Sequence, residues 1–239
     1  MMIKRLIFVI LPALVLVIAV SGGGQAFVIE DSLMVTDVTP VKFSVVWATS
    51  EPATAWVNVF LDADGTIPCA EAKVESESAE HPPAEELGVM KVQVGGLQPD
   101  TDYYFQIVSV SKTGNITYVS PSAAPFSPDH RVRTEKASRI VRNDVLVHKV
   151  SDSGDEPSAG MLVIASVAGA SYPVSGWVGQ GVPDRWAPID ANNFYDMQNH
   201  VNLELVGGEK INLTLFGGLL GFVEIQDTIP EETGGMQQL

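Results

Sequence analysis

The chain has 239 residues, 46% of them hydrophobic, with 29 acidic against 14 basic residues and a formal net charge of −15. That length holds one large or two ordinary domains, and a field of that sign repels phosphate backbones, which argues against nucleic acid as a partner. Cys69 is the sole cysteine, so no internal disulfide forms and apolar burial has to hold the fold.

Residues 1–26 contain Lys4 and Arg5, an apolar stretch from Leu6 to Val20, and then Ser-Gly-Gly-Gly-Gln-Ala, with no acidic residue. This is the pattern of a Sec signal peptide cleaved after Ala26. Fifteen apolar residues are short for a membrane span, which needs about 20. The expected address is therefore secreted or cell-surface, with the periplasm as a second compartment and no membrane insertion of the mature chain. Without Lys4 and Arg5 the processed chain keeps 12 basic residues and a formal charge of −17.

From residue 27 to 136, short runs alternate in period 2 between turn residues. Leu33 to Val38 reads as a strand stopped by Thr39-Pro40. In the next, Phe43, Val45 and Trp47 share one face and Ser44, Val46 and Ala48 the other. Strands follow at Thr54–Leu61, Val89–Val94 and Asp102–Val110, where Tyr103, Phe105 and Ile107 face one way. Between the last two lies Gly96-Leu97-Gln98-Pro99-Asp100-Thr101-Asp102-Tyr103, a Leu and a Pro turn ahead of a Tyr, the corner that locks a β-sandwich. Lys112 to Asn115 forms a hairpin turn into Ile116–Val119, and Val119 to Asp129 is read as a poorly structured approach to a last strand.

Beyond a boundary near Thr134 to Ser138 the pattern repeats in kind, from 138 to 227. Ile140-Val141, Val145–Val147, Met161–Val167, Leu203–Val206, Ile211–Phe216 and Phe222–Ile225 read as strands, with Leu213, Leu215, Phe222 and Ile225 as core. Residues 228–239 read as a flexible tail. The fold class expected is all-β, two tandem antiparallel β-sandwiches.

Two resemblances follow from these residues. Val38-Thr39-Pro40 through Phe43-Ser44-Val45-Val46-Trp47-Ala48 and on to Thr54, with Gly96-Leu97-Gln98-Pro99-Asp100-Thr101-Asp102-Tyr103-Tyr104-Phe105, resembles a bacterial fibronectin type III domain over Ser32 to Thr134. The resemblance implies that Trp47, Leu97 and Tyr103 are core. It departs from that family's pattern between Asp62 and Leu87, where the connection is longer and acidic. Pro157-Ser158-Ala159-Gly160-Met161-Leu162-Val163 with Asp184-Arg185-Trp186-Ala187-Pro188-Ile189 is similar to the carboxypeptidase-regulatory-like (Ig-like) sandwich over Ile140 to Gln226. The tandem is similar to that of secreted surface proteins of environmental bacteria, a resemblance that implies spacers or binding platforms rather than enzymes. The first half also resembles the N-terminal domain of metallophosphatases, but their catalytic His and Asp clusters are missing here.

The acidic connection holds Asp62-Ala63-Asp64-Gly65, whose alternating carboxylates make Asp62 and Asp64 the candidate ligands for a Ca²⁺ ion. The third alternating ligand and the bidentate Glu are missing, so the competing reading is a hairpin turn with Asp-Gly at its tip. The remaining acidic run, with Glu75, Glu77 and Glu80, is read as a solvated, mobile loop and a candidate partner-binding surface. Trp177, Trp186 and Tyr195 are the aromatic candidates for contacting a partner or a glycan, against a core role.

Asp152-Ser153-Gly154 matches the aspartic-protease triplet but lacks a second copy and reads as a turn. Cys69 and His81 stand among carboxylates that oppose a thiolate, and the four histidines show no metal-ligand spacing. The function expected is a non-catalytic extracellular structural or protein-interaction module. Its partner is an extracellular or cell-surface protein, self-association included. The alternative is an accessory glycan- or cation-binding module.

Overall fold

A computed structural model describes residues 28–29, 31–114, 117–136, 145–149, 159–179 and 186–229, with 145–149 and 186 described in backbone only. The proposed signal segment, Ile140-Val141, the Asp152 triplet, the Asn115-Ile116 turn and the tail from 230 lie outside these residues.

The chain is nearly all β and its sheets are antiparallel. In the N-terminal half, β1 (Met34–Thr36), β2 (Phe43–Ala48), β3 (Ala53–Phe60), β4 (Lys73–Ser76), β5 (Val89–Gly95), β6 (Asp102–Ser111), β7 (Thr117–Ser120) and β8 (Arg131–Arg133) form two sheets. Two short helices, α1 (Glu77–Glu80) and α2 (Pro82–Leu87), join β4 to β5. One sheet runs β1-β2-β5-β4; in the other β6 lies between β3 and β7 and also pairs β8. That order, with the fourth strand on the first sheet, is the arrangement of constant-type immunoglobulin sandwiches. Phe43, Val45 and Trp47 meet Val57, Phe105 and Ile107 between the sheets. The Trp47 indole N–H donates to Ser109 Oγ at 2.8 Å, which satisfies the one polar atom the ring takes into the core. The corner closes as read: Gln98 N–H donates to Tyr103 Oη at 2.8 Å.

The C-terminal half contains β9 (Val145–Lys149), β10 (Leu162–Val167), β11 (Val174–Trp177), β12 (Trp186–Asp190), β13 (Tyr195–Asp196), β14 (Val201–Asn202), β15 (Lys210–Phe216) and β16 (Phe222–Thr228). A four-stranded sheet runs β11-β10-β15-β16, while β9 pairs β12 and β13 pairs β14. Val163, Ala165, Ile211 and Leu213 pack with Ile189 and Phe194 in its core.

Between the end of β7 and the 3-10 turn at Pro128–His130 the chain is irregular, as expected of the approach to β8. Three expectations need correction. The acidic run that holds Glu75, Glu77 and Glu80 is not a loop, because Lys73 to Leu87 forms β4, α1 and α2. Leu203–Val206 is irregular backbone instead of a strand. Phe222 and Ile225 are not core: they stand 41% and 55% exposed, because β16 is an edge strand that nothing covers on either face among the described residues.

Candidate functional site

The chemistry concentrates where the halves meet. Strand β2 carries no charged residue in six positions, and all six are buried. Its inner face serves the sandwich core, and its outer residues Val46 and Ala48 join Val89 and Ala84 against Leu162, Ile164, Trp177 and Phe216 of the second half. The central strands β2 and β5 are therefore covered on both sides, as continuous apolar strands are.

Into this apolar contact the sequence places a charge. Lys91, third in β5, points outward from the sandwich and is 6% exposed. Its Nζ lies 3.2 Å from Asp37 Oδ2 and 3.0 Å from Glu77 Oε2. Asp37 sits in left-handed backbone, φ 54°, a conformation Asp tolerates, where the chain leaves β1. Ser175 donates to both of its carboxylate oxygens, from N–H at 2.8 Å and from Oγ, and Thr36 Oγ1 donates at 2.9 Å. The Trp177 indole N–H donates to Glu77 Oε2 at 2.9 Å, and His81 stacks on the Trp177 ring at 4.4 Å between centroids.

Burial alone would raise the Asp37 carboxyl, but the Lys91 ammonium and the Ser175 donors outweigh it and hold it below the usual carboxylate range. Burial would likewise lower Lys91, and the two carboxylates overcome that, so its ammonium stays above the ordinary lysine value. His81 is pushed down by desolvation despite Glu77 and Glu80 beside it. The result is a charged group whose counterions come from the first half and are held by the Ser175 and Trp177 donors of the second, which satisfies a buried charge that would otherwise be costly.

The acidic connection builds one side of this contact. Glycines let it come close: Gly160 has φ 86°, and a Cβ there would lie 2.5 Å from Ala84 N. A Cβ at Gly218 would overlap the Leu87 carbonyl oxygen. Lys112 ties the other side of α2, with Nζ 2.6 Å from Glu86 Oε1 and 3.2 Å from Glu85 Oε2.

The predicted site residues scatter across this frame. Asp62 accepts from Thr66 N–H, Thr66 Oγ1 and Ile67 N–H, so its carboxylate closes a turn, and these donors hold it below its ordinary value. Asp64 is exposed. Among the described residues no group of three His, Cys, Asp or Glu side chains is placed to share a metal ion. Glu75 and Glu80 are exposed, whereas Glu77 belongs to the Lys91 cluster. Trp177 and Tyr195 are turned inward, at 1% and 3% exposure, and Trp186 is described only in backbone, on β12. Cys69 is half-buried and unbridged, near the Trp56 edge of β3. Sequence reasoning missed Asp37, Lys91 and Ser175. The available signal was Lys91 within Val89-Met90-Lys91-Val92, a lone charge in a strand whose neighbour β2 has none.

Two open grooves flank the N-terminal sandwich. One, of 590 Å³, runs between β1 and the Pro128–Arg131 segment and is closed by Tyr172 and Pro173. The other, of 400 Å³, lies between β3 and Pro68 to Val74 beneath Trp56. Among the described residues no helix is long and apolar enough to cross a membrane.

No protein-family model matches the chain, and no curated protein matches it. Among solved structures it is similar to the chicken CNTN1 FN1–FN3 domains, with 12% identity and a TM-score of 0.25. That similarity covers 84% of this chain and 65% of that one, so the chain spans less than two thirds of its length. It is also similar to Dpr11 IG1 bound to DIP-gamma IG+IG2, with 8% identity and a TM-score of 0.21 over 87% of this chain and 98% of that one.

Proposed function

We propose that the chain is a non-catalytic extracellular interaction module, exported through residues 1–26, whose two halves act as one scaffold. The observation that carries this reading is the contact between the halves. Val46, Ala48, Leu162 and Phe216 form an apolar patch that surrounds the Lys91–Asp37–Glu77 cluster. Ser175 and Trp177 of the second half donate to Asp37 and Glu77, so any slip of the two surfaces would leave those buried carboxylates short of donors. A scaffold fixed in that way presents its edges and grooves at constant separation, which suits recognition of a large partner more than turnover of a small substrate.

Cross-linking of the native cell surface followed by mass spectrometry tests the reading. Recurrent cross-links from this chain to one extracellular protein, or to itself, are expected. The accessory glycan or cation reading would win if cross-links were absent while oligosaccharides quenched tryptophan fluorescence or Ca²⁺ raised the melting temperature. Quenching would then arise at Trp56, the indole that stands 48% exposed.

A further inference from the structure

Strand β16 stands at the edge of the second-half sheet and, among the described residues, pairs only with β15. Its neighbours across the ladder are Leu215 for Val223 and Leu213 for Ile225. Directly opposed residues share a face, so Val223 and Ile225 continue the apolar face that Leu213 and Leu215 give to the core. They are nevertheless 53% and 55% exposed. The strand carries neither Pro nor Lys; its charges are Glu224, on the face opposite Ile225, and Asp227 near its end.

The ladder also fixes which backbone groups are free. Gly217 N–H donates to Gly221 O, and Ile229 N–H donates to Glu209 O. Bonded and unbonded pairs alternate along an antiparallel ladder, so residues 223, 225 and 227 point their N–H and C=O groups at β15. Phe222, Glu224, Gln226 and Thr228 point theirs outward, away from the sheet.

We infer that β16 pairs antiparallel with β16 of a second copy of this chain, about a two-fold axis at Ile225. This inference rests on the interaction-module reading and narrows its partner to the chain itself. In that register the outward groups of 222, 224, 226 and 228 meet those of 228, 226, 224 and 222, so all seven residues are paired. Glu224 faces Gln226, Asp227 faces Val223, and Ile225 faces Ile225. No like charges stand directly opposite, and the two Glu224 side chains lie diagonally across the axis on the face away from Ile225. Centring on Glu224 would set two carboxylates against each other, and centring on Gln226 would leave Phe222 beyond the end of the partner strand. The chosen register joins two four-stranded sheets into one of eight and gathers Val223 and Ile225 of both copies on one face. One strand edge is small for an interface, and each chain carries a formal charge of −15, so the dimer dissociates on dilution and strengthens with salt.

Cysteine scanning on the full chain, with Cys69→Ser as background, reads both the pairing and its register. The two Ile225 residues form an unbonded pair with Cα atoms about 4.5 Å apart, within disulfide reach. Ile225→Cys should therefore give a covalent dimer under mild oxidation, while Phe222→Cys and Leu220→Cys give at least tenfold less. Gln226→Pro removes one outward N–H without touching the β15 ladder and should abolish the dimer in sedimentation equilibrium at a concentration where the parent dimerises. Equal cross-linking at all three positions, a maximum away from 225, or a parent that stays monomeric at high concentration in 0.3 M salt would overturn the inference. Native-surface cross-links to a foreign protein combined with any of those results would defeat self-pairing and leave the module reading standing.

Discussion

Lys91 on β5 and Ile225 on β16 invert the usual assignments: the lysine is buried and the isoleucine is exposed. Both lie in strands, and each projects from one face of its sheet into space that another element either fills or leaves open. At Lys91 the second half fills it, with Ser175, Trp177 and Phe216 close by. At Ile225 nothing among the described residues does. The difference teaches that polarity alone does not set burial here; what matters is whether a second surface arrives with matching groups. Asp37 and Glu77 make the arrival at Lys91 affordable, and β16 has no such partner within the chain.

The largest expected effect breaks the first site. Lys91→Ala leaves the Asp37 and Glu77 carboxylates facing each other's side of an apolar contact and should cost about 3–5 kcal/mol. Ile225→Ala in the same urea titration should stay within about 0.5 kcal/mol, as exposed substitutions do. Equal midpoint shifts for the two variants would erase the distinction.

Next in size is Gly160→Val, which puts a branched side chain into left-handed backbone and against Pro83 and Ala84. A loss of about 1–3 kcal/mol is expected. Limited proteolysis should then cut within α1 and α2, a segment that resists cleavage while it is pressed on the second half. Unchanged protection would show that the helices hold without that contact.

Tyr103→Phe provides a baseline that lies in the first sandwich alone. It removes the hydroxyl that accepts from Gln98 N–H and should cost about 1 kcal/mol. A loss as large as that of Lys91→Ala would mean the corner, not the contact between halves, dominates stability.

The gentlest effect is a pH slope. His81 and His130 are both held below 6.5 by desolvation, so the unfolded chain binds their protons first and stability falls as pH drops below about 6.5. Asp37 is held below 3.8, so its contribution is present above that value and is lost as pH falls further. Lys91 is raised above 10.5, so its contribution is whole below that pH and is lost only as pH climbs past it. Urea midpoints at pH 7.5, 5.5 and 3.5 should therefore decline in two stages, and His81→Gln should flatten the first. A midpoint that rises on acidification would contradict the sign.

Much of the first sandwich was legible because its signals are local. Phe43, Val45 and Trp47 alternate, Tyr103, Phe105 and Ile107 alternate, and the Leu97 to Tyr103 corner is a turn with its own hydrogen bond. The acidic connection was misjudged for the opposite reason. Its eight carboxylates read as solvated, yet Glu77 answers Lys91, Glu85 and Glu86 answer Lys112, and Ala84 fills a place beside Gly160. Those partners lie from 14 to 76 residues away, beyond the reach of local alternation and turn signals. The candidate contact residues fared unevenly for the same reason: Trp177 is an aromatic whose burial depends on Glu77 and His81.

By itself, the sequence determined that this chain is all-β, acidic, without an internal disulfide, and locked at Tyr103, because alternation, charge and turn chemistry act between near neighbours. Only the tertiary structure decided that one outer sheet face is an interface with a charge at its heart, and that the last strand stays open. Long-range pairing makes those decisions, since a carboxylate or an isoleucine acquires its cost only from what is finally packed against it.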